Sequence, residues 1–76
     1  MTTFEREELM YALAFNYLTE KMNDKVWQRE RSQGYSMALG KLQGACMALK
    51  LDFSETENSV IVFTANREKL VTKVEI

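Results

Sequence analysis

Tyr35–Leu51 reads YSMALGKLQGACMALKL, a run with the period of a helix and apolar residues on nearly every side. At about 100° per residue, Tyr35, Ala38, Leu39, Leu42, Ala45, Cys46 and Leu49 share one broad face, as a core requires. Behind them stand Met37, Gly40, Gly44, Met47 and Ala48. Only Ser36, Gln43 and Lys50 remain as a wet strip, with Lys41 long enough to snorkel. A helix apolar nearly all round is a buried helix, so two separate neighbours are expected to cover this one.

Gly40, Gly44 and Ala48 recur every four residues, which lines small side chains along one ridge and lets another backbone come close. Each glycine costs a helix about 1 kcal/mol against alanine, and close packing would offset that. Met37, Gly40, Gly44 and Ala48 are therefore the expected site of tight helix packing or of self-association. A membrane span is not expected. Lys41, Gln43 and Lys50 interrupt the run, which is shorter than the roughly 20 apolar residues a span needs.

The chain has 76 residues and a net charge of −1, which makes it one small domain over 1–76. Such a domain buries only about 60% of its unfolded surface as a monomer. Small folds are usually supplemented by disulfides, metals or oligomerisation. One cysteine and no histidine remove the first two, and a homodimer is the expectation that remains. A hydrophobic content of 46% marks a folded chain rather than a disordered one. Cys46 lies inside the apolar run and reads as a small buried hydrophobe, which fits a reducing cytoplasm. No basic stretch followed by an apolar one opens the sequence, so secretion is not expected.

Upstream, Thr2-Thr3-Phe4-Glu5 has the form of a capping box, and Glu5, Glu7 and Glu8 follow where the helix dipole favours negative charge. A helix from Thr3 to Met22 is expected. Phe4, Tyr11, Phe15, Leu18 and Met22 form a seam suited to another helix, with Leu9, Met10, Leu13 and Tyr17 as a second apolar flank. Asn23 and Asp24 could cap a second helix starting near Lys25; alternatively one long helix breaks at Ser32-Gln33-Gly34. Either way two antiparallel helices result, and the Gly40/Gly44/Ala48 ridge can face the seam.

After Leu51 the period changes. Asp52–Asn58 reads as a polar turn region and Ser59–Ala65, SVIVFTA, as a strand. Asn66–Lys69 then connects to Leu70–Ile76, where Leu70, Thr72, Val74 and Ile76 alternate with Val71, Lys73 and Glu75 as in a half-buried edge strand. Leu51–Phe53 could add a short third strand, and a helix over 66–74 is the alternative to the last one. The expected fold class is thus α+β, two antiparallel helices followed by a C-terminal β-hairpin. A lone hairpin is barely stable, so it must lie on the central helix or pair with another chain.

Catalytic chemistry has no foothold in this composition. Without histidine, Ser-His-Asp, Cys-His and structural zinc arrangements cannot be assembled, and the glycines at 34, 40 and 44 fit no nucleotide-binding fingerprint. The carboxylate pairs Glu5/Glu8, Glu20/Asp24 and Glu55/Glu57 are explained by helix starts and solvated loops. No cofactor is expected and the protein is read as not an enzyme. Two surface patterns remain. Trp27 beside Arg29 and Arg31, with Tyr35, has the composition of a protein-binding hot spot. Lys21, Lys25 and Arg29 would stack as a basic stripe for nucleic-acid phosphates, but Glu20, Asp24 and Glu30 interleave and the chain lacks the basic excess of nucleic-acid binders.

The helical run Glu30–Phe53, ERSQGYSMALGKLQGACMALKLDF, resembles small phage- or prophage-borne proteins of Gram-positive bacteria. That resemblance implies a cytoplasmic, oligomeric accessory protein, or a regulator or inhibitor that binds a host protein, anti-defence factors included. It carries no site residues with it. The expected function is a small non-enzymatic interaction module that forms homo-oligomers.

Overall fold

The capping box forms as read: Thr2 Oγ1 accepts from the Glu5 N–H at 3.1 Å and the Glu5 carboxylate accepts from the Thr2 N–H at 3.4 Å. The computed structural model describes all 76 residues. From this cap, helix α1 runs Thr3–Val26. At about 1.5 Å per residue its 24 residues span the 37 Å long axis of the molecule. It is the spine of the fold.

The first helix does not stop at Met22, and Asp24 does not cap a second one. Asp24 stays helical and turns inward, where its Oδ2 accepts from the Ser32 N–H at 2.9 Å. Trp27 closes α1, and Gln28 and Arg31 take left-handed backbone angles (φ 54° and 46°) in the connection. Ser32 then caps helix α2, Gln33–Leu49, with its Oγ accepting from the Tyr35 N–H. The expected break at Ser32–Gly34 is therefore a helix start, and the earlier end comes at Val26. Gly34 sits hard against α1, since a Cβ there would lie 2.5 Å from Glu20 Oε2.

Lys50, at φ 57°, ends α2 in a left-handed turn and sends the chain directly into strand β1, Leu51–Glu55. The polar region expected over Asp52–Asn58 is mostly this strand. Its alternation explains why: Leu51 and Phe53 join the core, while Asp52 turns outward to Arg67, Oδ2 accepting from Nε and Nη2 at 3.2 Å each. Strands β2, Ser59–Thr64, and β3, Leu70–Glu75, follow as expected, with a turn rather than a helix over 66–69. The sheet is antiparallel in the order β1-β2-β3, so the architecture is two helices and a three-stranded sheet rather than a lone hairpin.

Both helices lie on one face of the sheet, α2 against β1 and α1 against β3 and β2. Between the layers sit Met10, Ala14, Tyr17 and Leu18 of α1, Ala38, Leu42 and Cys46 of α2, and Val60, Val62 and Val74 of the sheet. The broad face read on α2 is thus its buried one. The opposite side is not covered: Gly40 and Gly44 have no neighbour within 4 Å of where a Cβ would stand, and Met37 and Ala48 are exposed. Tight packing of the Met37/Gly40/Gly44/Ala48 ridge against the first helix is therefore not made within the chain. One buried face is enough because the sheet takes the place of the second helical neighbour.

The seam on α1 is corrected in the same way. Of the seam, Leu18 is fully buried and Met22 half-buried, but Phe4, Tyr11 and Phe15 are exposed; the core side is centred on Met10 and Tyr17 of the other flank, whose Leu9 is exposed. The alternation expected in β3 also shifts. Between Val62 and Phe63 the partners step from Thr72 to Leu70, leaving Val71 as a bulge residue. Val71 is consequently buried and Leu70 exposed, the reverse of a regular strand. Lys73 and Glu75 face water as read.

Candidate functional site

The connection between the helices builds an open cleft of about 450 Å³ lined by Lys21, Asp24, Lys25, Arg29, Arg31 and Tyr35 among others. Asp24 organises it. Its side chain is nearly inaccessible, its Oδ2 holds the Ser32 N–H, and its Oδ1 lies 3.6 Å from Arg29 Nη2 without a hydrogen bond. The Ser32 hydrogen bond, aided by the Arg29 charge, holds the Asp24 carboxyl below its ordinary range. The clamp joins the end of α1 to the start of α2.

Of the expected partner patch, Arg29, Arg31 and Tyr35 come together on this cleft, whereas Trp27 does not line it. Trp27 projects from the helix end, 71% exposed. Tyr35 is tied inward, its hydroxyl 3.1 Å from that of the buried Tyr17 and the rings 5.4 Å apart. It is half core residue, half surface. Arg31 is the one cleft cation with no ion pair.

The basic stripe fares differently. α1 does carry Lys21 and Lys25 one turn apart, but Lys21 donates to the Thr56 carbonyl at 2.9 Å and pairs with Glu55 at 3.7 Å, and Lys25 is hydrogen-bonded to Glu57. That bond to Lys25 lowers the Glu57 carboxyl from its ordinary value. Arg29 lies beyond the helix and faces Asp24. A phosphate would have to displace a carboxylate at each position, and the gain from counterion release would be spent on that.

Cys46 is buried toward the far end of α2, on the face it shares with Tyr35, and burial, then the Asp52 charge, pushes its thiol up from the ordinary value, away from thiolate chemistry. No three His, Cys, Asp or Glu side chains converge in a way that could hold a metal ion. No helix is long and apolar enough to cross a membrane.

The surface that sequence reasoning placed on the wrong side is apolar. Around α1, Tyr17 and Glu20 meet α2, and the next side, with Met10, Ala14 and Lys21, meets the sheet. Continuing at about 100° per residue, the side after that carries Tyr11, Phe15, Met22 and Val26, and it overhangs β3, the outer strand. Tyr11 and Phe15 are each 48% exposed and stack on one another at 6.3 Å. Tyr11, Phe15 and Met22 were legible on one line from their spacing; Val26 was not placed on it, and the direction of the line was not legible. A second apolar surface is the outer side of α2, where Met47 is 81% exposed beside the glycine ridge.

No protein family, curated protein or solved structure matches this chain.

Proposed function

We propose that this protein is a non-enzymatic interaction module whose working state is an assembly of its own copies. The observation that carries this reading is the outward side of α1, where Tyr11, Phe15 and Val26 lie open along a single line. Scattered surface hydrophobes need no explanation, but large contiguous ones mark association surfaces. A homodimer covers them at no cost in a new partner, and it supplements a core of only 12 buried apolar residues. Light scattering during gel filtration over a hundredfold range of loading tests it. A mass approaching twice 8.8 kDa at the higher loadings supports the module; 8.8 kDa throughout rejects it.

A second reading is favoured by Trp27. A tryptophan this exposed, next to Arg29 and the unpaired Arg31, has the make-up of a hot spot for another protein. It supports a regulator or inhibitor acting on a host protein, as the phage-like resemblance of Glu30–Phe53 implies. Capture from a Gram-positive lysate with wild type and with Trp27→Ala/Arg31→Ala is expected to lose at least one partner in the variant. Identical partners in both would remove the patch.

A further inference from the structure

We propose that two copies join through antiparallel pairing of β3 with β3, centred on Val74, making a six-stranded sheet with the two α1 helices packed side by side above it. This rests on the self-association read above and names its surface.

β3 forms one open edge of the sheet. The Ile76 N–H donates to Asn58 O at 2.9 Å, so the backbone groups of Ile76, Val74 and Thr72 turn to β2. By alternation those of Lys73 and Glu75 turn outward. An edge strand with an outward row of N–H and C=O groups is a template for another strand. A lone lysine there would repel its own copy. Lys73 followed by Glu75 does the opposite: pairing about Val74 sets Lys73 of each chain across from Glu75 of the other, exchanging the 3.6 Å Lys73–Glu75 contact within each strand for two attractive cross-strand pairs on the solvent face. Moving the centre to Lys73 would oppose two lysines, and moving it further toward Leu70 runs into the bulge at Val71.

The helices agree with this centre. Glu55, Val60 and Val74 form one row across the sheet, and Lys21 of α1 reaches Glu55, which brings this part of α1 over that row; the proposed axis meets α1 at the turn holding Leu18 and Thr19. About that turn the exposed flank is self-complementary. Phe15 meets Met22 of the second copy, and Tyr11 meets Val26. Each α1 lies over β2 and β3, so the two helices stand about two strand spacings apart, roughly 10 Å, which is the separation of packed helices.

The other edge offers no such match. On β1, pairing about Asp52 opposes two aspartates and pairing about Phe53 sets Asp52 against Ser54. The flank of α2 above it presents glycines and one methionine rather than aromatic rings.

Light scattering and hydrogen exchange on full-length wild type, Lys73→Glu, Glu75→Lys and the double reversal test the pairing. Each single reversal is expected to weaken dimerisation by about ten- to thirtyfold, from two attractive pairs turned repulsive. The double reversal, and an equimolar mixture of the two single variants, are expected to regain wild-type association, because every pair is again Lys opposite Glu. Phe15→Asp is expected to dissociate the dimer and Gly44→Leu to leave it intact, with thermal melts showing that each variant folds. In wild type, protection of the Lys73 and Glu75 amides is expected to rise with concentration. A dimer indifferent to the reversals, or a mixture no tighter than its components, overturns the β3 pairing while leaving self-association standing. A wild type that stays monomeric overturns both.

Discussion

Tyr17→Ala is expected to remove roughly half of the protein's stability. Tyr17 is the largest fully buried side chain, in contact with both helices and tied through its hydroxyl to Tyr35. Removing a buried aromatic costs about 3–5 kcal/mol, and a chain of this length is expected to have only about 4–11 kcal/mol in all. Urea denaturation should show the midpoint moved to about half its wild-type denaturant concentration; an unchanged midpoint would take Tyr17 out of the core account. Tyr17→Phe is the milder probe, since it keeps the ring and leaves the Tyr35 hydroxyl without its partner.

The same residue sets the alkaline limit. Burial first, and then the neighbouring Glu55 carboxylate and Tyr35 hydroxyl, hold the Tyr17 phenol protonated well above its ordinary value near 10. A group whose value is raised by folding stabilises the native state below its unfolded value, and that contribution is lost as the pH rises beyond it. Melting temperature is therefore expected to fall steadily above about pH 10. In Tyr17→Phe this alkaline decline should flatten; an unchanged slope would mean that other groups govern it.

Asp24→Ala is expected to lower the melting temperature by roughly 5–10 °C, by leaving the Ser32 N–H unpaired and freeing Arg29 at the junction of the helices. The sign with pH is opposite to that of Tyr17. Its carboxyl is held below the ordinary 3.8, so its stabilisation is complete above about pH 4 and is lost as the pH falls through the lowered value. Asp24→Asn keeps an acceptor for Ser32 but removes the charge. It should melt closer to wild type at neutral pH and show a weaker acid decline, measured by circular dichroism between pH 2 and 7. Equal acid limbs in the two proteins would take Asp24 out of the account.

The amino-acid order by itself determined what is local. Thr2 and Glu5 can close a capping box wherever the chain goes, Ser32 can cap a helix, and SVIVFTA and LVTKVEI prefer extended backbone through their β-branched residues. It also drew lines along each element: the Tyr35–Leu49 face, which is the buried one, the Phe4/Tyr11/Phe15/Leu18/Met22 seam, of which only Leu18 is fully buried, and Lys73 with Glu75 on the wet side. Asp24 was identified as a polar residue at a helix junction, although its task, holding Ser32 from inside α1 across a loop with two left-handed residues, depends on a partner eight positions away.

Tertiary structure alone decided which of two apolar lines on a helix faces inward. Both helices carry apolar residues on more than one side, so period gives the angle between faces but not which face has a neighbour. Once β1 joined the sheet and both helices settled on one side of it, Met10, Tyr17 and Leu42 were covered, while Phe15, Met47 and the glycine ridge were left outside. The bulge at Val71, which buries that residue and turns Leu70 out, is likewise set by the register with β2. Spacing along a chain fixes directions within an element; only contacts between residues far apart in sequence fix which direction is the interior.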